Sequence, residues 1–156
     1  MPKSAAKVGV NGFGVIGKRV AEAVSKQKDM KLVGVSDVVG DYRVKLGQNK
    51  GFEIYASMSE KLPDMKKSGV EVSGTLEELL RKVDVMIDCT PAGLGAKNKV
   101  MYDKAGVKSI FQGGEKHDLT GSSFNASCNY DQNLNRPATR VVSCNTTGIC
   151  RTVGTL

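Results

Sequence analysis

The sequence has no tryptophan and few other aromatic residues, with four Phe and four Tyr among its 156 residues. It therefore offers few side chains on which unpaired nucleic-acid bases would stack. Basic residues are in excess, with 23 Lys and Arg against 16 Asp and Glu, but they form no continuous run. We interpret the net charge of +7 as a basic surface suited to small anionic partners, and we expect no dedicated nucleic-acid site.

Histidine, CxxC pairs and long apolar runs are also scarce or missing. His117 is the one histidine and none of the four cysteines stands in a CxxC pair, so we expect no metal site and a solvated His117. No apolar run approaches the roughly 18 residues of a membrane helix. Residues 1–4 lead straight into the first predicted strand without room for a signal peptide, so we expect a cytoplasmic protein with free thiols.

Short apolar runs alternate with amphipathic stretches along most of the chain. This alternation predicts an α/β fold with a doubly wound, mostly parallel sheet. The composition, 40% hydrophobic and 25% charged, excludes disordered, collagen-like and coiled-coil chains. The predicted strands are 7–11, 31–36, 52–55, 70–73, 83–89, 109–112, 123–129 and 140–143. The predicted helices are 15–27, 41–50, 60–67, 75–82 and 96–105, with a last one opening at residue 144.

The first strand–helix turn carries a glycine-rich motif. Gly12, Gly14 and Gly17 match GxGxxG between a predicted strand and a predicted helix. In this pattern Gly12 allows a tight turn, Gly14 lets the backbone approach a pyrophosphate, and Gly17 lets the helix pack closely on the strand. Since the free N–H groups of the helix N-terminus favour phosphate, the motif predicts a Rossmann-like, dinucleotide-binding domain.

Asp37 follows the second predicted strand, where an acidic residue accepts hydrogen bonds from the adenosine ribose. Such a carboxylate favours NAD and repels the 2′-phosphate of NADP. Arg43 and Lys45 lie close enough in sequence to offer that phosphate a positive charge. We therefore expect NAD as the cofactor and leave NADP open.

A cysteine stands where the last predicted strand runs into a helix. At this helix N-terminus the dipole and the free N–H groups would stabilise the thiolate of Cys144, the form that attacks a carbonyl, as well as the resulting oxyanion. Oxidation of an aldehyde beside a bound nicotinamide is the reaction this suggests, against the alternative of an inert structural cysteine. Hydroxyl and amide groups suited to a phosphate or a carbonyl oxygen surround it, on Ser143, Asn145, Thr146 and Thr147.

Four segments spread over residues 8–152 resemble glyceraldehyde-3-phosphate dehydrogenase, and its archaeal-type branch most closely. They are VGVNGFGVIGKRVAEAV, DCTPAGLGAKNK, QGGEKHD and RVVSCNTTGICRT. The resemblance implies that Cys144 is the catalytic thiol and that Ser143 and Asn145 contact the substrate. It also implies cofactor contacts, which fall on Val15, Ile16, Thr90, Pro91 and Gly114.

The resemblance further implies a phosphorylating reaction of glycolysis or gluconeogenesis, with a small phosphorylated aldehyde, inorganic phosphate and NAD(P) as reactants. The family enzyme is a longer homotetramer, and its second half carries the general base and a phosphate-binding Arg. We thus expect residues 1–143 to be the nucleotide-binding domain and 144–156 to open the catalytic-cysteine helix, with no turnover by this part alone. Members of the branch commonly carry a basic residue near the end of the second strand and can accept NADP, whereas this chain has Asp37.

Two other functions stay open at this point. One is a different aldehyde or semialdehyde dehydrogenase, because such enzymes also place a cysteine after a nucleotide domain. The other is a stand-alone module that binds nucleotides or nucleic acid, which the positive charge would suit.

Overall fold

The computed structural model describes residues 4–154, so the outermost residues of the two predicted domains, 1–3 and 155–156, lie outside the described part. The strands are β1 Ala6–Asn11, β2 Met30–Asp37, β3 Ile54–Ala56, β4 Val72–Thr75, β5 Val85–Asp88, β6 Lys108–Phe111, β7 Ser123–Phe124 and β8 Ala138–Val141. The α-helices are α1 Val15–Ser25, α2 Tyr42–Asn49, α3 Leu62–Lys67, α4 Leu76–Leu80, α5 Gly95–Lys104, α6 Ala126–Asn129 and α7 Cys144–Val153.

The eight described strands form one sheet in the order β4-β3-β2-β1-β5-β6-β8-β7. Each neighbouring pair is parallel, which confirms the doubly wound α/β prediction. From β1 the chain builds one half of the sheet outward to β4, then returns to β1 and builds the other half from β5. The strand order thus reverses between β1 and β5, and ligands of such sheets bind at the carboxyl ends of the strands at this point.

Apolar side chains cover both faces of the sheet, as a parallel sheet requires. Ile54 and Tyr55 are neighbours in β3 and point to opposite faces, so they belong to two separate buried clusters. Val10 and Val35 lie in the first cluster, under helices α1 and α2, and Leu79 lies in the second with Tyr55. None of the helices in residues 4–154 is long and apolar enough to cross a membrane.

The predicted helix 75–82 is confirmed and slightly shorter. It is α4, and Thr75 starts it with a capping box, because the Glu78 carboxylate accepts a 2.7 Å hydrogen bond from the Thr75 backbone N–H. The predicted helix 60–67 is divided instead. A short 3-10 turn over Ser59–Lys61 precedes α3, and Pro63 stands in the first turn of α3, where a missing N–H costs nothing.

The prediction of a strand over 123–129 is wrong beyond its first two residues. Only Ser123–Phe124 pairs with β8, and residues Ala126–Asn129 form a short helix. Asn125 causes the change, because its side-chain oxygen accepts a hydrogen bond of 3.0 Å from the Ser127 N–H and so caps the helix. Asn129 then closes the turn by accepting a bond from the Asn125 N–H.

Candidate functional site

The glycine loop connects β1 to α1 and packs against the end of β5, at the point where the strand order reverses. Gly12 has a φ of +89°, and a Cβ there would come within 2.9 Å of the backbone of Cys89 and Thr90. At Gly17 a Cβ would lie 1.9 Å from the Gly12 carbonyl oxygen. Both positions therefore exclude any side chain, as the fingerprint predicts.

Gly14 differs, because the space beside it is open. The nearest atom to a Cβ built there is Arg43 Nη1, at 3.9 Å. Gly14 precedes α1 and provides no side-chain cap, so the first N–H groups of this helix stay available to an anion. Val15 and Ile16, 62% and 46% exposed, stand at the same helix start.

Asp37 lies at the carboxyl end of β2 and faces the glycine loop. One carboxylate oxygen accepts a hydrogen bond of 2.7 Å from the Phe13 N–H. The other accepts bonds from the N–H groups of Val38 and Val39, at 2.7 and 3.3 Å. Asp37 thus connects the end of β2 to the glycine loop.

Arg43 and Lys45, both on α2, are separated by the structure. Arg43 forms an ion pair with Asp41, which raises the pKa of the guanidinium through a side-chain hydrogen bond, and its other nitrogen lies beside Gly14. Lys45 points elsewhere, with its ammonium 3.8 Å from where a Gly69 Cβ would be. Of the two, only Arg43 borders the groove of about 420 Å³ next to the glycine loop.

The turn after β5 holds the second group of predicted cofactor residues, Thr90 and Pro91. The segment after β6 lies directly against it, since a Cβ on Gly113 would come within 2.0 Å of the Thr90 carbonyl oxygen. Gly114, also predicted, follows with a φ of +88°. The structure therefore brings Thr90, Pro91 and Gly114 to one place, at the carboxyl ends of β5 and β6.

Sequence reasoning missed the buried Glu115 next to this turn. Its carboxylate accepts hydrogen bonds from the N–H groups of Gly93 and Gly95, at 2.8 and 2.9 Å, and so fixes the start of α5. Arg140 donates a bond to the Glu115 carbonyl oxygen. The sequence signal that could have identified Glu115 was the QGGE segment, in which an acidic residue follows two glycines.

Cys144 begins α7 at the carboxyl end of β8 and is exposed. Ser143 caps this helix, since its hydroxyl accepts a hydrogen bond of 3.2 Å from the Thr146 N–H and lies 2.9 Å from the Thr146 hydroxyl. The Asn145 amide oxygen is 3.9 Å from the Cys144 sulfur. Thr147, half-buried, is one turn further on and donates its N–H to the Ser143 carbonyl oxygen.

The other cysteines lie in different surroundings. Burial raises the pKa of the Cys89 thiol to about 12. Cys128 on α6 has a raised pKa as well, caused first by desolvation and then by the neighbouring Cys150 thiol. Cys144 is therefore the thiol that is both exposed and placed at the N-terminus of a long helix.

The glycine loop and Cys144 lie at the same edge of the sheet. The strands are parallel, so the carboxyl ends of β1, β5, β6 and β8 meet there. Three strand spacings separate β1 from β8, about 14 Å. His117 is exposed, and its Nδ1 lies 2.9 Å from the Ser123 hydroxyl. Among residues 4–154 no three His, Cys, Asp or Glu side chains are grouped to hold a metal ion.

Comparison with known proteins gives two kinds of match. Residues 6–113 match the family described as dihydrodipicolinate reductase, N-terminus. The chain is also 55% identical over 150 residues to a glyceraldehyde-3-phosphate dehydrogenase of Thermococcus kodakarensis, and 50% identical over 150 residues to one of Methanococcoides burtonii. These matches span 96% of the chain but only 45% and 44% of the relatives, so the chain spans about half the length of the curated relatives it matches.

A solved structure supports the fold over almost the whole chain. Aspartate semialdehyde dehydrogenase II of Vibrio cholerae superposes with a TM-score of 0.64 over 97% of this chain and 46% of its own. At 15% identity this likeness concerns the fold alone. The family resemblance predicted from the four sequence segments is confirmed by the curated relatives, which the chain matches in their N-terminal part.

Proposed function

The chain belongs to the family described as dihydrodipicolinate reductase, N-terminus, and we propose that it is the NAD(P)-binding part of a phosphorylating glyceraldehyde-3-phosphate dehydrogenase. In this proposal residues 1–143 are the nucleotide-binding domain and 144–156 open the helix of the catalytic cysteine. The observation that carries it is the placement of the glycine loop and Cys144 at one edge of the sheet, in a chain 55% identical to an enzyme of that name.

The residues at the point where the strand order reverses, between β1 and β5, fit a dinucleotide. Gly14 leaves room for a pyrophosphate, the free N–H groups at Val15 and Ile16 would bind it, and Asp37 would accept bonds from the adenosine ribose. Thr90, Pro91 and Gly114 would contact the nicotinamide end. When bound, NAD(P) would accept the hydride. The residues of the protein would carry out the other steps.

Cys144 carries the chemistry in this proposal. Its thiolate adds to the aldehyde carbon, forming a C–S bond, and the carbonyl oxygen becomes an oxyanion that N–H groups at the start of α7 stabilise. After oxidation the substrate remains on Cys144 as a thioester. Inorganic phosphate then attacks the acyl carbon, the C–S bond breaks, and an acyl phosphate leaves. Ser143, Asn145, Thr146 and Thr147 are the substrate-binding residues we propose around it.

The rest of the proposal concerns the complete protein. We infer a cytoplasmic homotetramer that acts in glycolysis or gluconeogenesis, with a small phosphorylated aldehyde and inorganic phosphate as partners. Residues 1–156 alone should bind the nucleotide without turnover, because a general base is worth about 10²–10⁴-fold in rate and we assign none here.

Two measurements test the proposal. Calorimetric titration of this chain with NAD and with NADP should give saturable binding of at least one, and binding of neither would contradict it. Assay of the complete protein with glyceraldehyde 3-phosphate, NAD(P) and phosphate should give an acyl phosphate. Preference for an amino-acid semialdehyde would instead support the semialdehyde dehydrogenase alternative, and oligonucleotide binding that NAD does not displace would support the nucleic-acid module.

A further inference from the structure

A chain of hydrogen bonds between buried side chains connects the ends of β1 and β5. The Tyr102 hydroxyl, on α5, donates to a carboxylate oxygen of Asp88 at 2.7 Å. Asn11 donates its amide N–H to the same hydroxyl at 2.8 Å. The Asn11 amide oxygen accepts from the hydroxyls of Ser36 and Ser57, at 2.9 and 2.7 Å. The chain therefore begins at the ends of β2 and β3 and reaches β5.

Asp88 extends this chain of hydrogen bonds to the turn after β5. Besides the Tyr102 bond it accepts from the Thr90 N–H at 3.0 Å, the Thr90 hydroxyl at 2.5 Å and the Asn98 amide at 2.8 Å. Four donors thus converge on one carboxylate that is 1% exposed, and no ion pair with a basic side chain is recorded for it in residues 4–154. Two hydrogen bonds to Asp88, from the backbone N–H and from the hydroxyl of Thr90, thus fix the position of this residue.

Packing alone does not require these polar groups. Tyr102 is fully buried and its ring packs against Phe111, with centroids 6.2 Å apart, which a phenylalanine would do equally well. Burying a hydroxyl and a carboxylate costs free energy unless both are bonded, so the arrangement stabilises one geometry rather than adding to the core. That geometry is the one of the Thr90 turn relative to β1.

We propose that Tyr102 and Asp88 are positioning residues for dinucleotide binding, holding the Thr90–Pro91 turn in register with the glycine loop. The inference rests on the proposed function. A dinucleotide spans the two halves of such a sheet, with its adenosine on the β1–β2 half and its nicotinamide end on the β5–β6 half. The network ties Asn11 and Ser36 of one half to Thr90 of the other, and so sets the distance between the two subsites.

Tyr102→Phe tests this role, because it removes one oxygen and keeps the ring. Tyr55→Phe is the matched control: both tyrosines are fully buried, and the Tyr55 hydroxyl donates to Glu53 and accepts from Lys82, away from the switch point. Calorimetric titrations with NADH and with ADP separate the halves. We expect Tyr102→Phe to weaken NADH binding about tenfold and ADP binding less than about twofold. Tyr55→Phe should change neither.

The outcomes divide clearly. Unchanged NADH binding by a folded Tyr102→Phe variant, or an equal loss of NADH and ADP, would overturn the positioning role while the proposed function stands. If the unsubstituted chain binds neither NAD(P)(H) nor ADP, the proposed function fails and this inference fails with it.

A second variant covers the case in which Tyr102→Phe does not fold. Asn98 is half-buried and bonds both Asp88 and the Thr90 hydroxyl, so Asn98→Ala loosens the same turn from the surface side. It should weaken NADH more than ADP and speed amide hydrogen exchange at Thr90. Equal exchange at Thr90 in the variant and the unsubstituted chain would contradict the inference.

Discussion

Oδ2 of Asp37 lies 2.7 Å from the backbone nitrogen of Phe13, so the end of β2 is bonded directly to the glycine loop. A carboxylate at this position therefore has two tasks. It keeps the loop in the conformation that leaves Gly14 open, and it presents a negative charge where the adenosine ribose would lie. The bond to the glycine loop is a finding of the structure, and the contact with the ribose is part of the proposed function.

Replacing Asp37 should change cofactor preference. In Asp37→Ala the charge that repels a 2′-phosphate is gone, so the ratio of NAD to NADP affinity should fall about tenfold, with weaker NAD binding because the ribose loses an acceptor. Paired calorimetric titrations measure the ratio. Asp29→Ala is the control, since it removes the same charge from an exposed residue before β2 begins. An unchanged ratio in Asp37→Ala would contradict the assigned role.

Removing the charge of Arg43 should shift the cofactor preference in the opposite direction, toward NAD. Its guanidinium is close enough to Asp37 for that carboxylate to help raise its pKa, after the ion pair with Asp41. Arg43→Gln should therefore weaken NADP several-fold more than NAD, because a charge-assisted bond to the 2′-phosphate is lost. Lys45→Gln removes the same charge from the same helix, but on a side chain that points toward Gly69. Equal effects of the two substitutions in the same titrations would show that only overall charge matters.

Two glycines of the motif should respond differently to alanine. Gly14→Ala should fold normally, because the new Cβ meets only Arg43 Nη1 at 3.9 Å, yet bind NAD(P) poorly since the methyl group enters the pyrophosphate space. Gly17→Ala places a Cβ 1.9 Å from the Gly12 oxygen and should lower the free energy of unfolding by about 3 kcal/mol. Thermal unfolding and nucleotide titration separate these effects. Loss of folding in Gly14→Ala would contradict the assignment of open space.

Local patterns predicted where several candidate site residues lie in the fold, because such patterns need only neighbouring residues. The glycine loop before α1, Asp37 at the end of β2 and Cys144 at the start of α7 each lie where the sequence predicts. The prediction of a strand over 123–129 is wrong for a local reason too, because the bond that Asn125 Oδ1 accepts from the Ser127 N–H competes with strand pairing.

The hydrogen-bond network could not be predicted in this way. Asn11 and Tyr102 are separated by 91 positions, and only the fold brings β1 beside β5 and α5 within reach of both. In the sequence Asp88 looks like the end of an apolar strand and Tyr102 like a core residue of a helix. Their bond depends on the direction in which each side chain leaves its element, which residue type and spacing do not specify.

Thiol reactivity should follow exposure and pKa. With iodoacetamide near neutral pH we expect Cys144 to be alkylated first, because it is exposed at the start of α7. Cys128 should follow more slowly, since its pKa is raised, and Cys89, with a pKa of about 12, should stay unmodified. Peptide mass spectrometry over time gives the order.

The same experiment has an internal control and a pH test. Cys144→Ser should abolish the fast phase, whereas Cys150→Ser on the same helix should leave it intact. A thiol with a raised pKa is protonated below that pKa, so labelling of Cys89 should increase as the pH rises toward about 12. Fast modification of Cys89 at neutral pH, or persistence of the fast phase in Cys144→Ser, would remove the basis for assigning the nucleophile to Cys144.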